Sequence, residues 1–372
     1  MTPFGLYIHI PFCEKKCPYC DFYSKKPSLG DTELYVPEVK KRIEHYSEIY
    51  SGRSIDTVYF GGGTPSLIGA DALNELLSSV MENFPVTASA EVTVEANPGS
   101  VNRDFFEKIR KGGFNRLSLG LQSANADELA FLGRPHSAED VKDAVEDAKK
   151  AGFDNISLDL MTGLPGQTED KLSKSIAFCS SLGVSHVSSY ILKIEEGTVF
   201  HRKAGKGELL LPDDDRVSDL YLHCVKKLSE CGFSQYEISN FSKPGFEGKH
   251  NLHYWHDEEY LGIGPAAHSF MKNERFFFGR SLKDFLNGAS PVPDGRGGDI
   301  SEKIMLGLRL TEGLTGEALS AYENGPSVFA ELMKKAASLP KQLVNTSGGR
   351  ISLTPEGFLV SNTIINLLTD VL

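Results

Sequence analysis

Between residues 4 and about 192 the sequence alternates short apolar runs with helix-length amphipathic stretches. The apolar runs fall at Phe4–Ile10, Ile55–Phe60, Ala90–Ala96, Arg116–Leu121, Asn155–Leu160 and His186–Leu192. Helical patterns lie between them near 32–51, 70–83, 102–112, 137–151 and 168–182. The helix near 137 carries its own start signal, Ser137-Ala138-Glu139-Asp140, whose hydroxyl and carboxylate can satisfy exposed backbone donors. Strands that are each followed by a crossover helix pair in parallel, and right-handed crossovers curl the sheet in one direction. Six such units predict an α/β fold in the form of a partial (β/α)6 barrel.

Polar or glycine-rich groups recur at or just past the C-terminal end of each predicted strand, the rim on which barrel-type folds build their sites. They are Cys13, Cys17 and Cys20, then Gly61-Gly62-Gly63-Thr64-Pro65, Glu95-Ala96-Asn97-Pro98, Gln122, Asp159 and Ser189-Tyr190. The first group is the most specific. Cys13-Glu14-Lys15-Lys16-Cys17-Pro18-Tyr19-Cys20 supplies three thiolates and no fourth. Three thiolates on a four-iron cluster leave one iron open to chemistry. A structural zinc site needs four closed ligands, and no second Cys or His pair lies near the triad. A disulfide would strand one thiol and need an oxidising compartment. The remaining cysteines, Cys179, Cys224 and Cys231, fall in helical patterns and read as small core residues.

The 372 residues suffice for one large unit and a smaller one. Thirty-nine basic against fifty acidic residues give a formal charge of −11, which argues against a nucleic-acid surface. The basic stretches Lys40-Lys41-Arg42 and Lys108 to Lys111 read as solvated helix faces. The start of the chain shows no basic-then-apolar secretory signal, and no run reaches the length of a bilayer span. With clustered cysteines, this points to metal chemistry in a reducing compartment and a cytoplasmic protein, with at most transient membrane association.

After residue 193 the rhythm changes. A long helix is expected at about 213–231 and a short strand at Gln235–Ile238, followed by a loop-rich stretch over Asn240–His268 and a Gly/Pro-rich linker over Gly288–Gly298. The last segment reads as a helix over 300–309, a further helical stretch, a strand pair near Leu343–Leu353 and a helix from about Pro355. Helices followed by a small hairpin predict a winged-helix-like unit. Its clustered positive charge is limited to Lys334, Lys335, Lys341 and Arg350, so packing is the expected role. The division drawn from this pattern is 1–235 for the barrel, 236–298 for an extension and linker, and 299–372 for the winged-helix-like unit.

Taken together, Tyr7-Ile8-His9-Ile10-Pro11-Phe12-Cys13, the cysteine triad, the glycine stretch, Ser118-Leu119-Gly120-Leu121-Gln122-Ser123 and Asp159 to Gln167 resemble the oxygen-independent coproporphyrinogen III oxidase-like (HemN/HemW) family of radical S-adenosylmethionine (SAM) proteins. The resemblance extends over essentially the whole chain. It implies a partial TIM-type radical SAM barrel, a 4Fe-4S cluster on Cys13, Cys17 and Cys20, and SAM bound at the open iron. It further implies SAM contacts from Tyr7, Tyr19, Gly62, Gly63, Thr64, Glu95, Gln122, Arg134 and Asp159.

The family holds two classes: oxidases that decarboxylate coproporphyrinogen III, and HemW-type haem chaperones that bind haem and pass it to acceptor proteins. Three features favour the chaperones. Phe22 stands where the oxidases usually carry another cysteine, and Tyr7 lies almost at the start where they have an extension. His250-Asn251-Leu252-His253-Tyr254-Trp255 is similar to the His-Asn-x-x-Tyr-Trp motif of the chaperones. Tyr260 to Ser269 is similar to both classes and does not discriminate. Imidazole is a good iron ligand and aromatics stack on a macrocycle. His250 is therefore the candidate axial ligand, with His253, His256 and His268 as fallbacks, although a His-Asn pair beside the single tryptophan could instead knit a loop onto the barrel. The expected function is a haem chaperone lacking coproporphyrinogen oxidase activity, with a haem-acceptor protein as partner; the alternative is the oxidase itself.

Overall fold

Strand β1 (Phe4–Ile10) alternates buried Phe4, Leu6, Ile8 and Ile10 with Gly5, Tyr7 and His9. The same period of two runs through β2 (Ile55–Gly62), β3 (Val86–Ala96), β4 (Arg116–Gln122), β5 (Asn155–Thr162) and β6 (His186–Ile191). Val58, Phe60, Val92, Val94, Leu117, Leu119, Ile156, Leu158 and Val187 join the main apolar core beneath the outer helices. The intervening Thr57, Tyr59, Glu91, Thr93, Glu95, Arg116, Ser118, Ser157, Asp159, His186 and Ser188 make up the other face. Alternation in a strand sends successive side chains to opposite faces, so this barrel has an apolar outside and a polar lumen. A computed structural model of the chain describes residues 3–370.

The helices that cover the outer face are α1 (Asp31–Ile49), α2 (Ala70–Asn83), α3 (Arg103–Gly112), a short α4 (Ala126–Phe131), α5 (Ala138–Lys150) and α6 (Glu169–Ser181). After β6 come α7 (Val199–Gly205) and α8 (Asp214–Glu230). The start signal at 137 forms a capping box. The Asp140 N–H donates to Ser137 Oγ at 3.2 Å, and the Ser137 N–H donates to Asp140 Oδ2 at 2.7 Å.

The region from 234 onward differs most from expectation. The strand expected at Gln235–Ile238 is a hairpin of β7 (Ser234–Gln235) and β8 (Asn240–Ser242), and β8 runs antiparallel to β6. The stretch expected to be loop contains a helix, α9 (Lys249–Trp255), and a strand, β9 (Tyr260–Ile263), that pairs in parallel with β1. The stretch read as a linker contains β12 (Val292–Arg296), which follows β10 (His268–Met271) and β11 (Glu274–Phe277) and pairs with β11. Elements of four to seven residues are too short to show a period, and Pro293 and Gly295 are tolerated because β12 is an edge strand. The sheet therefore has twelve strands in the order β12-β11-β10-β9-β1-β2-β3-β4-β5-β6-β8-β7. Residues 236–298 supply strands to both of its ends, and a seventh parallel strand, β9, joins the six that were expected.

A second apolar cluster, including Ile304, Leu308, Leu314, Leu332, Ile351, Phe358 and Ile364, organises the C-terminal unit. Helices Ile300–Gly307, Gly325–Ser338 and Ser361–Thr369 pack with a three-stranded sheet of Leu314–Thr315, Arg350–Leu353 and Val344–Asn345, the winged-helix-like arrangement expected. It meets the barrel through backbone bonds from Ile238 N to Arg309 O at 3.1 Å and from Thr311 N to Tyr236 O at 3.0 Å.

Candidate functional site at the barrel rim

The loop that carries the three cysteines leaves β1 and is pinned at its base. Cys13 N donates to Lys25 O and Lys25 N donates to Pro11 O, both at 2.9 Å. A buried histidine ties the far end down. The Nε2–H of His9 donates to Tyr23 O at 2.8 Å, so its Nδ1 accepts from the Tyr7 hydroxyl at 2.9 Å. Burial pushes His9 down to about 4 and keeps it neutral in that role.

The glycine turn at the end of β2 lies directly against this loop. Gly63 N donates to Ile10 O at 2.8 Å and Thr64 N to Phe12 O at 2.7 Å. Gly62 has φ 105°, and a Cβ there would stand 2.3 Å from His9 Cε1. Only glycine fits. From this turn a chain of polar contacts runs between two cysteines. Thr64 Oγ1 is 3.4 Å from Cys13 Sγ and accepts from Asn97 Nδ2 at 3.1 Å. Arg134 Nη2 donates to Asn97 Oδ1 at 2.7 Å, and Arg134 Nη1 reaches Cys17 Sγ at 3.5 Å. Asn97, which links Thr64 to Arg134, was read from sequence only as part of the rim group Glu95–Pro98, with no role of its own. Its signal was its place in an Asn-Pro step just past β3.

Deeper in the lumen, Glu95 accepts from the Tyr59 hydroxyl at 2.8 Å and from Gly62 N at 3.1 Å. Burial raises its carboxyl to about 7, against the pull of those donors. Asp159, on β5, accepts from Ser118 Oγ at 3.2 Å and is likewise raised by burial. Gln122 adopts a left-handed φ of 58° at the bulged end of β4. A Cβ on Gly120 would stand 2.6 Å from Arg134 Nη2 and 2.8 Å from Gln122 Nε2, so this glycine leaves room for both side chains. Gln122 Oε1 and Arg134 Nε are both buried without a hydrogen-bond partner. Tyr19 leans on Phe200 of α7, with ring centroids 6.3 Å apart. Tyr59 and Ser118, also absent from the sequence-based set, hold the two carboxylates.

Among the described residues no three His, Cys, Asp or Glu side chains converge tightly enough to hold one metal ion. A four-iron cluster makes a different demand, because its three thiolates sit on three separate irons. Cys13, Cys17 and Cys20, all free and partly exposed on one pinned loop, fit that demand. Unpartnered acceptor and donor atoms on Gln122 and Arg134, with carboxylates on Glu95 and Asp159, fit a ligand that carries ammonium, carboxylate and hydroxyl groups. Cys179 and Cys224 lie buried in the core, away from any such role.

The histidine read as an axial iron ligand is placed otherwise. Helix α9 plugs the opposite end of the lumen, its first N–H groups held by Glu91 at 3.2 Å (Lys249) and 3.1 Å (His250). His250 is 1% exposed and stacks on Tyr59 at 5.2 Å. Both ring nitrogens are taken, Nδ1 by Thr57 Oγ1 and Nε2 by the Tyr254 hydroxyl, each at 2.8 Å. As the structure stands, His250 offers iron no lone pair, and the motif knits its helix to the barrel floor. His253 is buried between Asp56 and Glu258, each carboxylate 2.8 Å from a ring nitrogen. Burial works against its charge, but the two carboxylates outweigh it and raise His253 to about 9.

The family models match in the same places. The radical SAM superfamily model covers residues 7–179, and the HemN C-terminal domain model covers residues 299–360. A Mycobacterium tuberculosis protein named heme chaperone HemW is 37% identical, spanning 98% of this chain and 95% of its own. Proteins of the same name from Lactococcus lactis, at 34% (99% and 98% of the two chains), and Bacillus subtilis, at 35% (96% and 97%), are similar over as much. The solved coproporphyrinogen III oxidase (HemN) from Escherichia coli superposes with a TM-score of 0.83, covering 100% of this chain and 91% of its own; at 23% identity it speaks to the fold. The chain belongs to the HemW family, within the radical SAM superfamily.

Proposed function

We propose that this protein is a haem chaperone: it binds haem and delivers it to an acceptor protein, and it carries a 4Fe-4S cluster and SAM at the barrel rim. Cys13, Cys17 and Cys20 hold the cluster. Gly62, Gly63, Thr64, Glu95, Gln122, Arg134 and Asp159 face the SAM bound to it, with Tyr7 and Tyr19 at the margins of that site. When bound, the cluster supplies an open iron for the amino and carboxylate groups of SAM. The chain's own part is to position these groups: Glu95, held by Tyr59 and Gly62, accepts from amine or ribose donors, Arg134 pairs with a carboxylate, and the Thr64–Asn97–Arg134 contacts tie Arg134 to the cysteine loop.

The observation that carries the chaperone reading is the 37% identity to a protein named heme chaperone HemW along 98% of the chain. Phe22, 67% exposed where the oxidases usually carry cysteine, supports it. No helix among the described residues is long and apolar enough to cross a membrane, in keeping with action in the cytoplasm. The test is anaerobic reconstitution followed by iron, sulfide and haem analysis. Close to one cluster and one haem per chain is expected; a chain that takes up the cluster but no haem overturns the reading.

A further inference from the structure

The four histidines between 250 and 268 differ in what their ring nitrogens already hold. His250 and His253 have both nitrogens engaged and are 1% and 4% exposed. His256 has its Nε2 on Glu312, 2.8 Å away. His268 is different. Its side chain is 60% exposed, its Nδ1 side faces Asp294 at 4.0 Å, and its Nε2 has no polar partner among the described residues.

The surroundings of His268 suit a flat apolar ligand. It opens β10, directly after the turn that follows β9. Because β9 runs parallel to β1, that turn lies at the same end of the sheet as the cysteine loop. His268 pairs with Phe277 on β11, and Phe277 pairs with Val292 on β12, so the three form one row across three strands. The imidazole stacks on the Phe277 ring at 5.1 Å and 24°, and Val292 is 46% exposed. Arg280, three residues beyond Phe277, is half-exposed and bonds Asp21, just after Cys20, at 3.2 Å. A free imidazole, an aromatic and aliphatic row and a nearby guanidinium are the groups an iron porphyrin with carboxylate arms requires.

We infer that His268, rather than His250, is the axial ligand for haem, bound on the His268–Phe277–Val292 row. The inference rests on the haem-chaperone reading above. Asp294 acts as a positioning residue: a carboxylate on the Nδ1 side favours the tautomer whose Nε2 lone pair points outward.

The experiment titrates haemin into the anaerobic full-length protein, comparing wild type with His268→Ala and His268→Met. Wild type is expected to bind one haem with an imidazole-ligated spectrum. His268→Ala should weaken binding by about tenfold or more and lose that spectrum, in the range seen for metal ligands and their supports. His268→Met should retain binding with a shifted, thioether-ligated spectrum, which a merely structural role for His268 would not produce. The side chain is exposed, so equal urea midpoints are expected and report that each variant is folded. A folded His268→Ala protein with wild-type affinity and spectrum overturns the inference while leaving the chaperone reading standing. Failure of the wild type to bind haemin overturns both.

Discussion

His250 and Thr57, 193 residues apart, share a hydrogen bond of 2.8 Å across the floor of the barrel. It joins α9 to β2 inside a lumen where polar groups must find partners. His250→Ala removes a buried ring and leaves the Thr57 and Tyr254 hydroxyls without their acceptor or donor. A loss of roughly 2–4 kcal/mol is expected, read as a lower urea midpoint. The folded fraction should bind haem as wild type does.

Cys17→Ser removes one thiolate of the triad from a loop held at its base by backbone bonds. The fold should persist, with a thermal midpoint within a few degrees of wild type. Iron after anaerobic reconstitution should fall from about four per chain to below about one. Retention of a full cluster would remove Cys17 from the ligand set.

Gly62→Ala tests the contact between the glycine turn and the cysteine loop. Its φ of 105° disfavours any side chain, and the added carbon would meet His9, which anchors the loop through Tyr23. A loss of more than about 2 kcal/mol is expected. SAM affinity should fall with it, measured by equilibrium dialysis on the folded fraction.

Two buried groups each hold a proton more tightly in the folded state, Glu95 as a neutral acid and His253 as a cation. Glu95 is raised from 4.5 to about 7, so the folded state holds its proton more tightly than the unfolded chain. Its contribution is present below pH 4.5 and is lost as pH rises through 7. His253 is raised from 6.5 to about 9, so its contribution is present below pH 6.5 and is lost as pH rises through 9. Melting curves of the SAM-free protein should show Glu95→Gln flattening the lower window and His253→Gln the upper. A slope unchanged by either substitution contradicts the assigned environment of that group.

The barrel was legible because its strands are long enough to alternate and its helices carry start signals such as Ser137. The cysteine triad was legible because its three residues lie within eight positions of one another in the chain. What sequence left dark lies in short elements and long-range pairs. The seven residues of α9 show a motif but no periodicity, so whether His250 faces solvent or the lumen could not be read. The partners that decide it, Thr57 and Glu91, lie on strands about 190 and 160 residues away in the chain. The linking role of Asn97 was hidden for the same reason: it exists only once Thr64 and Arg134 have been brought to it.

Haem carriage without porphyrinogen oxidation is tested most directly by one anaerobic preparation assayed in parallel for haemin binding and for coproporphyrinogen III turnover with SAM and a reductant. Near-stoichiometric haem binding with little turnover is the expected result. Robust formation of protoporphyrinogen would contradict it and make the protein an oxidase.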